Sequence, residues 1–485
     1  MGIKSTYGVF MSATKKYLPK AIAGVSLLIY LAFAFFLYRY NILPIKYRVL
    51  VLTIFPIVLV LYGILAYKKK IKRPGNIVFL IILIIISLSE IVFMSYANTS
   101  IKTINEISKK DTSLMTEMSY IVRADSPYKS LEDIKDKKLA VVETEDEVTI
   151  KEVLDKYKDE YKTDLEESKY IDYLSLAKGL LRGKEDVILL NEAFRNIVEE
   201  TEETFSEETR VLGSSLVESK AKEDSLDKEE VAEEAAFNVY ISGIDTYGSL
   251  SNVSRSDVNL VISVNPVKGK VLITTIPRDS YVDIPGKGMD KLTHAGLFGV
   301  DSSIQTIENL LNINIDYYGK VNFTTLTELI DVLGGIDVEN PRAFSAGGYN
   351  FVQGTNHLDG RASLVFARDR YHQAEGDFDR GRNHTRIIAA IINKMLRPEM
   401  LLNFNNISQV ALKSVNTDMP YEKMIELVNK QIDSGKKWDI ESGALAGSGT
   451  MDLKSALMPE AQLYMMVPSE ESVKEVEGKI KENNK

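Results

Sequence analysis

Three long apolar runs open this chain, at about Ala21 to Tyr38, Val49 to Tyr67 and Ile77 to Ala97. Each is roughly 18 to 21 residues, close to the ~20 that carry an α-helix across a bilayer's hydrocarbon core. A buried core helix would explain one such run. Three in succession, joined by short basic connectors, predict three transmembrane helices over residues 21–97 after a cytoplasmic N-terminus at 1–20. A cleaved signal peptide fits poorly, because two more spans follow the first. Lys4, Lys15, Lys16 and Lys20 precede span one, and Lys68, Lys69, Lys70, Lys72 and Arg73 separate spans two and three. The loop between spans one and two holds only Arg39, Lys46 and Arg48. Basic residues collect on the cytoplasmic side, so the expected topology is multi-pass in the cell membrane, with everything after about Tyr96 outside. Glu90 falls in span three, where the expectation is a place near the outer end, reaching the interface or a neighbouring helix.

Beyond the spans the pattern shortens. From 111 to 200, "SYIVRADSPYKSLEDIKDKKLAVVE" alternates as strand, turn and strand, and "YLSLAKGLLRGKEDVILLNEAFRNIVEE" as helix, strand and helix. These predict a small α/β accessory domain, read as a docking or spacer module. Residues 201–236 are polar and acidic and read as a linker with some strand or helix inside it. From 237 to 396, "FNVYISGID", "VNLVISVNP" and "KVLITTIPRDSYVDIP" are Val/Ile/Tyr-rich strand candidates. "DSSIQTIENLLN", "NFTTLTELIDVLGG", "HLDGRASLVFARDR" and "RGRNHTRIIAAIINKML" have helical periodicity. The fold class is therefore α/β, a central sheet flanked by helices, followed by a helical extension at 397–485 that ends in a frayed, charged tail.

Composition narrows the chemistry. Net charge is −9 and the isoelectric point about 5.3, which argues against direct nucleic-acid binding, as does the lack of a zinc-finger spacing or a basic helix-turn-helix. Without cysteine there is no disulfide, thiol nucleophile or thiolate metal site. With four histidines, a metal would have to be a hard, oxygen-liking ion.

Charged residues gather where the predicted strands end. Asp245 follows the first, Arg255 and Asp257 open the second, Arg278 and Asp279 close the third, and Lys291 comes soon after. The stretch "FARDRYHQAEGDFDRGRNH" adds Arg368, Arg370, Asp377 and Arg380, with Asp379 and Arg382 as surface pairs. Strand ends are where α/β sheets carry ligand sites. Any one of these residues is more simply a surface ion pair; the set points to a phosphate-rich ligand held through a divalent ion. Asp245 and Asp257 could hold Mg²⁺, with Mn²⁺ as the alternative, while the arginines neutralise phosphate oxygens. No P-loop, kinase catalytic loop or nucleophile elbow is present.

The succession "SGIDTYG", "SRSDVN", "IPRDSYVDIPG", "KLTHA", "LGGIDVEN", "HLDGRASLVFARDR" and "GDFDRGRN" closely resembles the LytR-CpsA-Psr family over about Phe237 to Leu396. Three spans and an accessory domain look like its streptococcal capsule-locus members. The resemblance implies a membrane-anchored ligase outside a Gram-positive cell, moving capsular or similar glycopolymer from an undecaprenyl-pyrophosphate carrier to peptidoglycan. It implies Asp245 and Asp257 as metal-associated carboxylates and Arg255, Arg278, Lys291, Arg368, Arg370 and Arg380 as pyrophosphate binders. Arg255, Arg278, Asp279 and Asp377 are then the catalytic candidates, with the general base open between Asp279 and Asp377. His384 stands where the family usually has glutamine, and an imidazole can still donate to phosphate. The lipid tail would occupy an apolar tunnel including 303–311 and 324–333. Capsule-synthesis membrane proteins of the chain-length and tyrosine-kinase complex are implied partners. Two other readings stay open: a membrane regulator of capsule synthesis, and a polyprenyl-pyrophosphate phosphatase.

Overall fold

A computed structural model describes residues 2–67, 73–108, 114–143, 146–219, 232, 235–244, 253–369, 377–395, 397, 400, 404–435 and 438–485. Helices α1 (Gly2–Tyr40), α2 (Ile45–Tyr67) and α3 (Arg73–Ser108) contain stretches long and apolar enough to cross a membrane, at Tyr17–Tyr40, Ile45–Leu65 and Pro74–Thr103. The apolar segments are longer than the expected ones, and α3 runs on past Ala97. Glu90 consequently sits mid-way along the third stretch, not near its outer end, and is 6% exposed. Tyrosine hydroxyls tie the bundle: Tyr30 donates to the Leu52 carbonyl at 2.9 Å, and Tyr62 to Asn76 Oδ1 at 2.7 Å.

A smaller sheet follows, built from β1 (Leu114–Arg123), β2 (Lys138–Val142), α4 (Glu147–Tyr161), β3 (Glu166–Tyr170), α5 (Tyr173–Leu181), β4 (Val187–Asn191), α6 (Arg195–Glu199), α7 (Phe205–Glu208) and β5 (Thr209–Ser219). Strand order is β3-β2-β4-β1-β5. β5 pairs antiparallel with β1 along its whole length, so much of the first half of the expected acidic linker is an edge strand, with Val211, Ser214, Leu216 and Glu218 exposed. Tyr120, Leu139, Val153, Leu176 and Leu189 fill the core, which also takes in Leu297, Leu457, Met458 and Met465 from later in the chain. This sheet is not a tethered bead: its apolar core is continuous with the loops that follow.

The larger sheet comes from β6 (Phe237–Ile244), β7 (Val258–Asn265), β8 (Lys270–Ile276), the hairpin β9 (Tyr281–Ile284) and β10 (Gly288–Lys291), α8 (Leu292–Ala295), α9 (Val300–Leu311), β11 (Tyr317–Asn322) and α10 (Phe323–Val332). Small strands β12 (Ile336–Asn340), β13 (Phe344–Ala346), β14 (Tyr349–Phe351) and β15 (Gly354–Leu358) lead to α11 (Gly360–Arg368) and α12 (Asp377–Met395). Then come α13 (Phe404–Ser414), β16 (Val415–Thr417), α14 (Tyr421–Ser434), β17 (Asp439–Ala444), β18 (Gly447–Thr450), β19 (Met465–Pro468) and α15 (Glu470–Asn483). The six-stranded order is β16-β11-β6-β7-β8-β17. β11 runs parallel to β6 and β17 parallel to β8, while β7 lies between β6 and β8 and is antiparallel to both. Alternation sends Tyr240, Val261, Leu272 and Tyr318 to one face, against α9 and α15. The other face receives α12, joined by a 2.6 Å hydroxyl pair between Thr275 and Thr385. Two glycines at positive φ, Gly334 at 74° and Gly335 at 83°, end α10 where only a residue without Cβ fits readily.

Two expectations change here. The C-terminal segment is not a frayed appendage: β17 is an edge strand of the main sheet. Val476 and Ile480 of α15 are buried, and Asn483 donates to the Ser263 carbonyl at 3.0 Å. The two segments expected to line one tunnel, 303–311 and 324–333, have different packing partners among the described residues. Ile304, Ile307 and Leu311 of α9 pack into the core shared with α15, whereas α10 packs on α11 and β11.

Residues 396–412 and 419–437 group with the three long helices. There Gln409 donates to Thr103 Oγ1 at 2.6 Å, Lys46 pairs with Asp433 at 3.2 Å, and Ile425 packs with Ile101.

Candidate functional site

The register of the larger sheet brings five strand termini to one edge: the ends of β6, β8, β11 and β17 and the start of β7. Between them the chain turns, and short backbone bonds stitch the turns together. Asp257 N–H donates to the Gly243 carbonyl at 2.9 Å, Ser256 N–H to Thr293 at 3.1 Å, Thr293 N–H to Arg278 at 2.9 Å and Leu292 N–H to Ser280 at 2.8 Å. Helix α8 thus fixes the loops that carry Arg255, Arg278 and Lys291. Gly296 seals the arrangement, because a Cβ there would lie 2.8 Å from both Ser254 O and Ser256 N.

Behind the loops are two buried polar networks. Tyr240 donates to Asn259 Oδ1 at 2.6 Å and meets Ser256 Oγ at 3.1 Å, while Asn259 donates to the Ser256 carbonyl at 3.0 Å. Burial pushes the Tyr240 phenol above its ordinary range. Asp290, fully buried, accepts four hydrogen bonds: from Lys291 N–H (2.7 Å), His294 Nδ1 (2.8 Å), Ser455 Oγ (2.7 Å) and Leu457 N–H (3.0 Å). Burial alone would raise its carboxyl; the bond and charge of His294, with Leu457 and Ser455, outweigh that and hold it below its usual value.

In front of these supports lies a cavity of about 620 Å³. Its charged wall is a ribbon of alternating sign. Arg255 Nη1 meets Glu200 Oε1 at 2.7 Å, and Glu200 Oε2 is 3.8 Å from Lys291 Nζ. Lys291 meets Asp279 at 3.0 Å, Asp279 faces Arg278 Nε at 3.6 Å, and Arg278 Nη1 meets Asp257 at 2.8 Å. The three cations are nearly enclosed, with side chains 11% (Arg255), 17% (Arg278) and 6% (Lys291) exposed. His384 of α12, buried, joins the lining. The lining also has an apolar part that includes Met451, Leu463, Tyr464 and Met466.

Of the sequence candidates, Arg255, Asp257, Arg278, Asp279, Lys291 and His384 therefore converge. Arg368 closes α11, half-buried, and is not among the described residues lining this cavity. Asp245 and Arg370 lie outside the described residues, as do the side chains of Asp377 and Arg380 at the start of α12. Arg382 is exposed, as a surface residue should be. Asp257 and Asp279 offer the hard oxygens that Mg²⁺ takes together with phosphate oxygens, though no cluster of three or more His, Asp or Glu suited to a metal occurs among the described residues. Sequence reasoning missed Glu200, Asp290, Gly296 and the apolar lining. Asp290 had a signal, standing next to Lys291 in "DKLTHA"; the others are joined to the site only by the fold.

A family model described as the LytR_cpsA_psr family matches residues 204–482, more than half of the 485. This chain belongs to the LytR-CpsA-Psr family. The LytR-CpsA-Psr match takes in everything from α7 into α15, so the expected C-terminal extension lies within it. Among relatives, the polyisoprenyl-teichoic acid–peptidoglycan teichoic acid transferase TagU of Oceanobacillus iheyensis is 35% identical over 224 residues, 45% of this chain and 69% of that protein. TagU of Halalkalibacterium halodurans is 33% identical over 265 residues, 53% of this chain and 84% of that one. The crystal structure of Bacillus subtilis TagU covers 52% of this chain and 97% of its own, at 30% identity and a TM-score of 0.42. A structure of TagT bound to LI-WTA covers 53% and 93%, at 26% identity and 0.42. At such scores neither structure bears on the LytR-CpsA-Psr assignment. A second family model, DNA polymerase processivity factor, matches residues 68–190. That is only about a quarter of the chain, running from the third apolar helix into the small sheet, and it does not establish membership.

Proposed function

We propose that this protein is a membrane-anchored ligase that moves a glycopolymer from a polyprenyl-pyrophosphate carrier onto peptidoglycan, outside the membrane and with the N-terminus cytoplasmic. One observation carries the reading: two nearly enclosed cations, Arg278 and Lys291, line the same cavity as the apolar side chains of Met451, Leu463, Tyr464 and Met466, with Arg255 joined to them through Glu200. A lipid-linked diphosphate has the matching halves. The TagU relatives, named as polyisoprenyl-teichoic acid–peptidoglycan teichoic acid transferases, support the same reaction class.

In this reading the guanidinium groups hold the diphosphate by charge-assisted hydrogen bonds in a site sheltered from water. An acceptor hydroxyl attacks the polymer-side phosphorus, forming a new P–O bond. The bridging P–O bond breaks, polyprenyl phosphate leaves with the electron pair, and the hydroxyl proton passes to a carboxylate. Asp279 is the described candidate for that base and Asp377 the other. Mg²⁺ would be held by Asp257 together with Asp245, and when bound it neutralises phosphate charge. A capsular polymer, an undecaprenyl carrier and contacts with capsule-synthesis membrane proteins are the finer parts of the proposal.

The test is full-length protein in liposomes with lipid-linked polymer and peptidoglycan. Polymer bound covalently to peptidoglycan, with release of polyprenyl phosphate, is expected, and Arg278→Ala should lower the rate at least about 100-fold. Phosphate release without attached polymer would instead make the protein a phosphatase. Normal wall-attached polymer in cells carrying Asp257→Ala or Arg278→Ala, at equal protein abundance, would sink the assignment.

A further inference from the structure

Glu200 stands out at this site because it comes from elsewhere. It follows α6 in the smaller sheet and precedes residues 204–482, which the family model matches. Its carboxylate nevertheless spans two cations of the larger sheet, at 2.7 Å from Arg255 and 3.8 Å from Lys291. The contact has a rigid footing: Val253 N–H donates to the Met115 carbonyl of β1 at 2.9 Å, and Val253 packs on the small sheet's core. Lys291 has a second carboxylate, Asp279, at 3.0 Å. Glu200 is the acid bonded to Arg255 among the described residues.

A carboxylate bridging an arginine and a lysine sits where two oxygens of a phosphate would sit, since both present paired oxygens to the same donors. The charge count agrees: Glu200, Asp279 and Asp257 balance Lys291, Arg255 and Arg278. An incoming anion therefore has no unpaired cation to meet within this ribbon and must take one from a carboxylate. Glu200 is the carboxylate best able to yield. Its side chain is 31% exposed, against 11% for Asp279 and 12% for Asp257, so it has a hydrated side to turn to.

We propose that Glu200 is a built-in competitor for the ligand: it occupies the anion subsite formed by Arg255 and Lys291, and an incoming phosphate must displace it to bind there. This rests on the reading of the cavity as a pyrophosphate site. Displacing the carboxylate costs the same whichever phosphate replaces it, so Glu200 lowers the affinity of a monophosphate and of a diphosphate by a similar factor. The small sheet thereby sets anion affinity through a single side chain.

Full-length protein in detergent, titrated calorimetrically with inorganic pyrophosphate and inorganic phosphate, tests this. Glu200→Gln keeps shape and removes charge. Both anions should bind more tightly, each by about tenfold, while Glu200→Asp, which keeps the charge, should hold both affinities closer to wild type. A purely structural Glu200 would instead lower the melting temperature and weaken both anions equally. Unchanged or weaker binding in Glu200→Gln, with wild-type pyrophosphate binding that Arg278→Ala abolishes, overturns the proposal and leaves the cavity reading standing. If neither anion binds wild type or any variant, both fall together.

Discussion

Asp290→Asn separates the support of the site from its chemistry. The carboxylate accepts two bonds on each oxygen: Lys291 N–H and His294 Nδ1 on Oδ1, Ser455 Oγ and Leu457 N–H on Oδ2. An asparagine oxygen can keep the first pair. Its NH₂ then faces the second, where Ser455 can rotate its hydroxyl to accept but Leu457 N–H is left without a partner. One buried unsatisfied donor costs about 1–3 kcal/mol, and loss of the charge adds to it, so about 2–3 kcal/mol is expected. At about 2 °C per kcal/mol for a domain of this size, melting of the purified full-length protein should fall by about 4–6 °C. The pH dependence gives the stricter check. The folded-state pKa lies below the usual 3.8, so this stabilisation is complete above the unfolded value and is lost as pH falls through the folded one. The gap between wild type and Asp290→Asn should stay constant from pH 8 to 5 and close below about pH 4. A variant melting within a degree of wild type, or a gap that persists undiminished at pH 3, would refute the account.

Gly296→Ala should move the Arg255 loop, because backbone atoms 2.8 Å from the new Cβ cannot turn aside; KM for a lipid-linked substrate should rise about tenfold with kcat less affected, read from initial rates. Lys320 on β11 is pulled by burial from 10.5 down to about 8. Between those values the unfolded chain keeps a proton that the folded one releases, so stability should climb with pH there, and Lys320→Met should flatten the climb in thermal melts. Truncation after Ser469 removes α15, uncovers the core face holding Tyr240 and Ile304, and strips Ser263 of Asn483; the shortened chain should fail to accumulate, as immunoblotting would show.

Much of this was legible in the chain because its signals are local. Three apolar runs name three helices by length, and Val/Ile-rich runs between charged turns name β6, β7 and β8 with boundaries close to those observed. Arg255, Asp257, Arg278 and Asp279 were found together because they flank strands β7 and β8 at one end of the main sheet, and Lys291 because it ends the hairpin that follows. What stayed hidden is non-local. Nothing in "NIVEETEE" announces that Glu200 will face Arg255, 55 positions later. The apolar lining was hidden because Met451, Leu463 and Met466 lie in a segment of mixed texture, tied in by Asp290 and by β19 through Met466 N–H to the Asp279 carbonyl at 2.8 Å. The charged end of the chain looked solvated because α15 buries only one narrow stripe.

The position of β17 in the sheet carries a consequence for biogenesis. Its partner β8 is made first, and Asp439 meets Lys270 only after the long stretch between the two strands has been synthesised. Until then one side of β8 is a bare strand edge, open to pairing with any extended segment, including another nascent copy. Such a fold closes late, with long loops already drawn in, and folds slowly for its size. Sequence order thus decides when the sheet shuts: a chain broken off before residue 439 lacks β17 and keeps the β8 edge open.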